Sequence, residues 1–211
     1  ARAGKFPAPG DRLYNFSAGP ATLPMDVLED IQRDLVNYKG TGMSVLEMSH
    51  RGKDFMEIAA KAESDLRALV GIPENYKVLF LQGGASTMFA SNVHNLAGAD
   101  DCADYVVTGA WSSKAQKEGA KMLAKANVAA SSKESNFTTI PDVKDWKLTP
   151  GAKFVHICSN ETIGGVEFKD VPDVGSSTLV ADMSSNYLSK PIDVEKYGIV
   201  YGGVQKNIGP A

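Results

Sequence analysis

The fold is first indicated by the stretch Leu179-Val180-Ala181-Asp182-Met183-Ser184-Ser185, in which a short apolar run ends at a carboxylate. Four similar apolar runs occur elsewhere, at Val78–Leu81, Tyr105–Val107, Phe154–Cys158 and Ile199–Tyr201. Each run has the length of a strand, and helical or long connecting segments separate them. Continuous apolar strands of this kind are typical of a mostly parallel sheet that is covered by helices on both faces. The sequence therefore predicts an α/β fold.

Two helices are predicted upstream of most of these strands. The first follows Pro24, a residue that suits the first turn of a helix, and its apolar face comprises Val27, Leu28, Ile31, Leu35 and Val36. The second is expected to end near Gly71, and its apolar face comprises Phe55, Ile58, Ala59, Ala62, Leu66 and Leu69. Residues 1–13 show no periodicity, which predicts a loose N-terminal arm.

Composition and charge exclude several classes of partner. The chain has 211 residues and a net charge of −3, with a pI near 5.6, so bulk attraction to nucleic acid or to an anionic membrane is not expected. No apolar stretch approaches the roughly 20 residues that span a bilayer. Cys102 and Cys158 show no metal-ligand spacing, which favours two free thiols in a reducing compartment.

Ligands of open α/β sheets bind beyond the carboxyl ends of the strands. The run Gly83-Gly84-Ala85-Ser86-Thr87 follows the first apolar run and precedes a helical pattern. Its small residues allow backbone N–H groups to approach an anion at a helix N-terminus. A tight turn capped by Ser or Thr is an equally good interpretation. The run matches neither of the common nucleotide-binding glycine motifs.

Asp182 and Lys206 follow two consecutive predicted strands. Asp182 could cap a turn, or it could be a buried carboxylate, which requires a cation such as a protonated pyridine nitrogen. Lys206 could be a solvated surface charge, or a desolvated amine whose pKa is low enough for it to form a Schiff base. The two residues together are more informative than either alone, because they would face one crevice.

Three further residues are candidates for ligand contacts. Trp111 follows a predicted strand and could either pack in the core or stack on a heteroaromatic ring. Arg51 precedes the second helix, where it could bind a substrate carboxylate or pair with a surface Glu, and His50 could assist with a phosphate. His94 and His156 are predicted to be packing residues.

These residues occur in a series of blocks that resembles the phosphoserine aminotransferase family along nearly the whole chain. The blocks are Tyr14-Asn15-Phe16-Ser17-Ala18-Gly19-Pro20-Ala21, Met48-Ser49-His50-Arg51-Gly52-Lys53, Gln82-Gly83-Gly84-Ala85-Ser86, Asn160-Glu161-Thr162-Ile163, Ala181-Asp182-Met183-Ser184-Ser185 and Gln205-Lys206-Asn207-Ile208-Gly209-Pro210. Some members of the family have Gly-Arg in place of Ala85-Ser86, and that Arg helps to bind the substrate's phosphate. In this chain other cations would have to take its place.

The resemblance implies the large domain of a fold type I pyridoxal-phosphate (PLP) enzyme over residues 14–211. This domain would be incomplete at its C-terminus, and the small C-terminal domain would be absent. The resemblance also implies a homodimer with a shared active site. Its cofactor-binding residues would be Ala85, Ser86, Trp111, Thr162, Asp182, Gln205 and Lys206.

The resemblance gives each of these residues a role. Lys206 would bind the cofactor as a Schiff base and act in catalysis, and Asp182 would bond the pyridine nitrogen. Trp111 would stack on the ring, and Thr162 would donate a hydrogen bond to the cofactor. The phosphate would be bound by the backbone N–H groups of Ala85 and Ser86 and by the Gln205 side chain. Arg51 would bind the substrate carboxylate, and His50 would lie near the substrate phosphate.

The activity that the resemblance implies is transamination between L-glutamate and 3-phosphohydroxypyruvate, which yields O-phospho-L-serine and 2-oxoglutarate. Activity on 4-phosphohydroxythreonine is also possible in this family. The alternatives are an alanine/serine–glyoxylate aminotransferase, a cysteine desulfurase, or a non-catalytic truncated module that dimerises. The stretches Gly42-Met43-Ser44-Val45 and Val166-Glu167-Phe168-Lys169-Asp170 are similar to those of plant relatives. Plastid is therefore the expected compartment, with cytoplasm as the alternative.

Overall fold

The computed structural model describes residues 12–17 and 22–209. Most of the predicted N-terminal arm, residues 1–11, lies outside the described residues, as do residues 18–21 of the first family block. Pro210, the last residue of the final family block, and Ala211 also lie outside. The described residues form a sheet with two helices packed against it and two further helices that precede it.

The two predicted upstream helices are present. Helix α1 spans Met25–Leu35 and follows Pro24, as expected. Helix α2 spans Lys53–Val70 and ends at Gly71, whose φ of 71° lies in the left-handed region that glycine adopts readily. Neither helix has a buried residue in the described part of the chain. Their apolar faces therefore remain open.

The main sheet has five strands that are all parallel. In chain order they are β1 (Cys102–Val107), β2 (Lys125–Ser131), β3 (Phe154–Cys158), β6 (Thr178–Asp182) and β7 (Ile199–Tyr201), and their order across the sheet is β2-β1-β3-β6-β7. A separate antiparallel pair is formed by β4 (Asn160–Glu161) and β5 (Val166–Glu167). The predicted α/β class and mostly parallel sheet are confirmed.

One face of the sheet is covered by helices α3 (Gly84–Leu96) and α4 (Ala110–Gly119). Its core comprises Phe89, Val93, Tyr105, Phe154, Val180 and Tyr201. The opposite face is covered by connecting segments, which contribute Trp146, Phe168, Val174 and Tyr197 against Val155, Ile157, Leu179 and Ala181 of the strands. Burial on both faces explains why β3 and β6 lack polar alternation.

The apolar run Val78–Leu81 is not a strand, so that prediction was wrong. Leu79, Phe80 and Leu81 are 70%, 63% and 63% exposed. A strand requires a neighbour for its backbone N–H and C=O groups. The sheet ends at β2 and β7, and no strand among the described residues pairs with the run. The local β propensity of the run is therefore not sufficient to form a strand.

The structure also contains a strand that the sequence did not reveal. Strand β2 has the sequence Lys-Ala-Asn-Val-Ala-Ala-Ser at the edge of the sheet, where only Ala129 is buried. Alanine, lysine and asparagine are poor strand formers, so the segment has no local signal. Its place is fixed by pairing with β1.

Across residues 12–17 and 22–209, no helix has the length and apolar content needed to cross a membrane. In the same residues no three His, Cys, Asp or Glu side chains are grouped so that they could hold a metal ion.

Candidate active site

Ser184 links the loop after β6 to the loop after β7. Its hydroxyl donates to Oδ1 of Asp182 at 2.6 Å, and its backbone N–H donates to the same oxygen at 2.9 Å. The hydroxyl oxygen also accepts the N–H of Gly203 at 3.0 Å. Gly203 precedes Lys206 in the same short loop. The chain of hydrogen bonds therefore connects the predicted carboxylate to the segment that carries the predicted lysine.

Asp182 is a buried carboxylate at the end of β6, with 2% of its surface exposed. Burial raises the pKa of Asp182 above its ordinary value, although the two hydrogen bonds from Ser184 oppose this change. The carboxylate is therefore costly to keep charged, which is the condition under which a buried cation would bind there.

The loop after β7 packs closely on the loop after β6. A Cβ on Gly202 would lie 3.1 Å from both the Cα and the N of Ser184, which is tighter than an ordinary contact. Gln205 lies in the turn that follows and is exposed, and Lys206 beside it is half-buried. Glycine at 202 allows the two loops to approach each other closely at their backbones.

The N-terminus of α3 borders the same region. Gly83 precedes the helix with a φ of 101°, in the left-handed region, and its carbonyl accepts the Thr87 hydroxyl at 3.0 Å. Ala85, in the first turn, has its backbone N 3.8 Å from where a Cβ on Gly203 would lie. Ser86 beside it is exposed. First-turn N–H groups have no partner within their own helix, so this end of α3 can bind an anion.

Trp111 lies in the first turn of α4 rather than at the end of a strand. Its ring is half-buried, and Nζ of Lys114 lies 4.2 Å from the ring centroid. Its Nε1 atom is buried and has no hydrogen-bond partner within the described part of the chain. Thr162 is half-buried and directly follows Glu161, the last residue of β4. The Glu161 carboxylate accepts the backbone N–H of Trp111 at 2.9 Å, which joins these two candidates.

His50 and Arg51 lie in the exposed turn that precedes α2. The backbone N–H of Arg51 donates to the hydroxyl of Ser49 at 3.3 Å. His50 and Arg51 do not take part in the contacts that bring Asp182, Ser184, Gly203 and Ala85 together. Their substrate-binding role stays a prediction.

The sequence did not reveal the residues that connect the candidates. Ser184 and Glu161 stand in the family blocks, but their partners are recognisable only in the fold. His156 is buried in the core, as predicted, and its Nε2 lies 2.8 Å from the Tyr201 hydroxyl. His94 lies in a helix, as predicted, but is exposed rather than packed. The Glu161 bond to Trp111 spans 50 residues, so no local pattern indicates it.

Comparison with known proteins gives a consistent result. Phosphoserine aminotransferase 1, chloroplastic, of Arabidopsis thaliana is 58% identical over 201 residues, which are 95% of this chain and 46% of that protein. The solved phosphoserine aminotransferase of Bacillus circulans superimposes with a TM-score of 0.91 at 50% identity, over 95% of this chain and 55% of that one. PLP-bound phosphoserine aminotransferase of Trichomonas vaginalis gives a TM-score of 0.87 at 42% identity, over 94% and 55%.

The chain thus spans about half the length of the relatives it matches. The family model described as aminotransferase class-V matches residues 13–211, which is nearly the whole chain. The chain belongs to the class-V aminotransferase family.

Proposed function

We propose that this chain is the cofactor-binding part of a phosphoserine aminotransferase. The reaction is transfer of an amino group from L-glutamate to 3-phosphohydroxypyruvate, which gives O-phospho-L-serine and 2-oxoglutarate. The observation that carries the proposal is the hydrogen-bonded chain from Asp182 through Ser184 to Gly203, in the loop that leads to Lys206. It supports a single site at the carboxyl edge of the sheet, where ligands of α/β folds bind.

The buried residues fit pyridoxal phosphate. Asp182 is a desolvated carboxylate that a protonated ring nitrogen would neutralise. Trp111 offers a half-buried aromatic ring for stacking. In this assignment Thr162 donates a hydrogen bond to the cofactor. Residues 14–211 would form the large domain that holds it.

The open end of α3 fits the cofactor phosphate. The backbone N–H groups of Ala85 and Ser86 would donate to its oxygens, with the amide of Gln205 adding a side-chain donor. Gly83 and Gly84 have φ values of 101° and 59°, a conformation that turns the chain sharply into the helix and leaves the N-terminal groups uncovered.

The chemical step would fall to Lys206. When bound, pyridoxal phosphate supplies a ring that accepts the electron pair left at the substrate carbon when its proton is removed. Lys206 would hold the cofactor covalently before substrate arrives. Its freed amine would then move a proton between the substrate Cα and the C4′ carbon of the cofactor, as general base and then as general acid. Asp182 would keep the ring nitrogen protonated throughout.

Substrate recognition would involve Arg51 and His50. The Arg51 guanidinium can form two parallel hydrogen bonds with a carboxylate, and His50 would lie near the substrate phosphate. Both side chains are exposed and available to a ligand in this chain. Activity on 4-phosphohydroxythreonine, which also carries a phosphate, fits the same arrangement.

The structure disfavours a cysteine desulfurase. That reaction requires a mobile thiolate, whereas both cysteines lie in strands of the main sheet, Cys102 at the start of β1 and Cys158, which is buried, at the end of β3. Burial, together with the negative charges of Asp182 and Glu161, raises the pKa of Cys158 well above its ordinary value. The thiol therefore stays protonated and is a poor nucleophile.

Reduction with borohydride tests the assignment of Lys206. The chain is incubated with PLP, reduced and digested, and the modified peptide is identified by mass spectrometry. We expect the label on Lys206, its loss in Lys206→Arg, and its retention in the matched control Lys196→Arg, because Lys196 lies in a surface turn. Label on another lysine, or no label at all, would contradict the proposal.

Amine-acceptor preference separates the proposed activity from its relatives. Turnover with glutamate should be supported by 3-phosphohydroxypyruvate and not by glyoxylate. The reverse preference would identify an alanine/serine–glyoxylate aminotransferase. A chain that binds PLP covalently but transfers no amino group to either acceptor would correspond to the non-catalytic module.

The homodimer with a shared site is part of the proposal. Its support is the open apolar surface of α1, where Val27, Ile31 and Leu35 are all more than 40% exposed. Sedimentation equilibrium tests it: we expect a dimer for the chain, and a shift toward monomer for Ile31→Lys. A monomer at all concentrations would contradict this part of the proposal.

We also propose a plastid location for the protein. The support is the identity to the chloroplastic relative, and a cytoplasmic location is the alternative. Imaging of the complete reading frame fused to a fluorescent protein distinguishes the two compartments.

A further inference from the structure

Glu161 is a buried carboxylate that caps helix α4 from a distant part of the chain. It is 1% exposed. Its Oε2 accepts the N–H of Trp111 at 2.9 Å, and its Oε1 accepts the N–H of Ser112 at 2.9 Å and the Ser112 hydroxyl at 2.5 Å. A negative charge at this end of a helix satisfies free N–H groups and interacts favourably with the helix dipole.

The turn before the helix is built around this carboxylate. A Cβ on Gly109 would lie only 2.5 Å from Cδ of Glu161, so a larger residue would displace the side chain. The hydroxyl oxygen of Ser112 also accepts the N–H groups of Thr108 and Gly109, at 2.9 and 3.1 Å. The end of β1 and the start of α4 are thus held to Glu161 by direct and relayed hydrogen bonds.

The backbone of Glu161 is fixed as well as its side chain. Glu161 pairs with Val166 in the β4–β5 ladder, and its carbonyl accepts the N–H of Gly165 at 2.7 Å. Thr162 is the next residue in the chain. A single residue therefore anchors the backbone of Trp111 through its carboxylate and the backbone of Thr162 through the peptide bond.

We propose that Glu161 is a positioning residue that sets the spacing between the Trp111 ring and the Thr162 hydroxyl, so that both reach one cofactor ring. This role rests on the proposed function, because it assigns Trp111 and Thr162 to the cofactor. Glu161 itself does not touch the ring. It acts by holding the two backbones that carry the contacts.

A purely structural cap is the competing role, and Asp104 is a matched control for it. Asp104 is also fully buried, and it accepts the Thr149 N–H at 2.7 Å, the Thr149 hydroxyl at 2.8 Å and an Asn127 amide hydrogen at 2.7 Å. The next residue in β1, Tyr105, belongs to the core under α3 and α4. Because successive strand residues point to opposite faces of a sheet, Asp104 points to the other face. Asp104 therefore lies away from the candidate site.

The test compares Glu161→Gln with Asp104→Asn. Glutamine keeps the shape of the side chain but replaces one acceptor oxygen by an NH2 group that faces an N–H donor. Both variants are made with Trp146→Phe, which leaves Trp111 as the single indole of the chain. Three quantities are measured: the melting temperature, the emission of Trp111 without cofactor, and the dissociation constant for PLP from its absorbance.

We expect both substitutions to lower the melting temperature. Glu161→Gln should also shift the Trp111 emission and raise the PLP dissociation constant about tenfold, the effect of losing one charge-assisted hydrogen bond. Asp104→Asn should leave the emission unchanged and alter the dissociation constant less than about twofold. Equal effects of the two variants on PLP binding and emission would overturn the proposal.

If Glu161→Gln does not fold, Gly109→Ala provides a second test of the positioning role of Glu161. Its methyl group would push the carboxylate away from α4 while the charge is retained, and Gly109 has extended backbone that any residue adopts. It should also raise the PLP dissociation constant, and an unchanged constant would overturn the proposal. If the unsubstituted chain binds no PLP, the proposed function fails, whereas the emission of Trp111 without cofactor still tests the anchoring by Glu161.

Discussion

The hydroxyl oxygen of Tyr201 lies 2.8 Å from Nε2 of His156 in the core beneath the candidate site. His156 is 1% exposed and Tyr201 is 7% exposed. Burial lowers the pKa of His156 to about 3, so the ring is neutral at physiological pH. Tyr201 is the register partner of Asp182 in the sheet. The buried His156–Tyr201 pair is therefore an uncharged, hydrogen-bonded pair in the sheet beside Asp182.

Removing the hydroxyl of Tyr201 should destabilise the chain. We expect Tyr201→Phe to lower the free energy of unfolding by about 1–3 kcal/mol, because Nε2 of His156 would stay buried without its partner. Urea unfolding at pH 7 measures the change. Tyr76→Phe is the control, since the Tyr76 hydroxyl donates to the Tyr197 carbonyl in a half-buried setting and should cost less. A larger loss for Tyr76→Phe would contradict the prediction.

Asp182 should make the stability of the cofactor-free chain depend on pH. Burial raises the pKa of Asp182 in the folded state, so its contribution is most favourable below the ordinary pKa of a carboxyl group, near 3.8, and is lost as pH rises through the raised value. Asp182→Asn should have little effect at pH 4 and should stabilise the cofactor-free chain at pH 8 by about 1–3 kcal/mol. Urea unfolding at both values measures this.

The exposed residue Asp170 provides the control for that experiment. Asp170→Asn, a substitution at a surface site, should change the free energy of unfolding by less than about 0.5 kcal/mol. If Asp182→Asn behaves in the same way as Asp170→Asn, the carboxylate at 182 does not carry the expected cost of burial.

Ser184 should be required for tight binding of the cofactor. Ser184→Ala removes the donor to Oδ1 of Asp182 and the acceptor for the Gly203 N–H. The pKa of Asp182 would rise further, and the loop that carries Lys206 would be less well fixed. We expect PLP affinity to fall about tenfold, measured by absorbance titration. Ser189→Ala, which removes a surface bond to the Asn186 carbonyl, should have no such effect. Equal affinities of the two variants would count against the role of Ser184.

Two phenylalanines should respond very differently to truncation. Phe89 is 5% exposed in the core under α3, whereas Phe80 is 63% exposed. Phe89→Ala should lower the free energy of unfolding by about 3–5 kcal/mol, and Phe80→Ala by less than about 0.5 kcal/mol, as for a surface site. Denaturant unfolding of the chain measures both. A loss for Phe80→Ala as large as that for Phe89→Ala would contradict the exposed position of Phe80.

Local sequence signals were sufficient to predict an element where its capping residues and apolar periodicity lie within the segment itself. Pro24 and the periodic apolar residues after it predicted α1, and Gly71 predicted the end of α2, because capping and helical periodicity act over a few residues. The unbroken apolar run at Phe154–Cys158 predicted β3 to the residue. The blocks around Asp182 and Lys206 are sufficient to indicate the family.

The sequence alone thus determined the α/β class and the family, and it predicted candidate residues for the cofactor, because periodicity, apolar runs and collinear blocks are properties of the chain itself. The tertiary structure decided that Val78–Leu81 has no strand partner among the described residues, that β2 pairs with β1, and that Trp111 lies in the first turn of a helix. It also showed that Glu161 holds Trp111 and that Ser184 joins Asp182 to the loop of Lys206. These contacts join residues 19 to 50 positions apart, so they exist only when the sheet has brought the ends of its strands together.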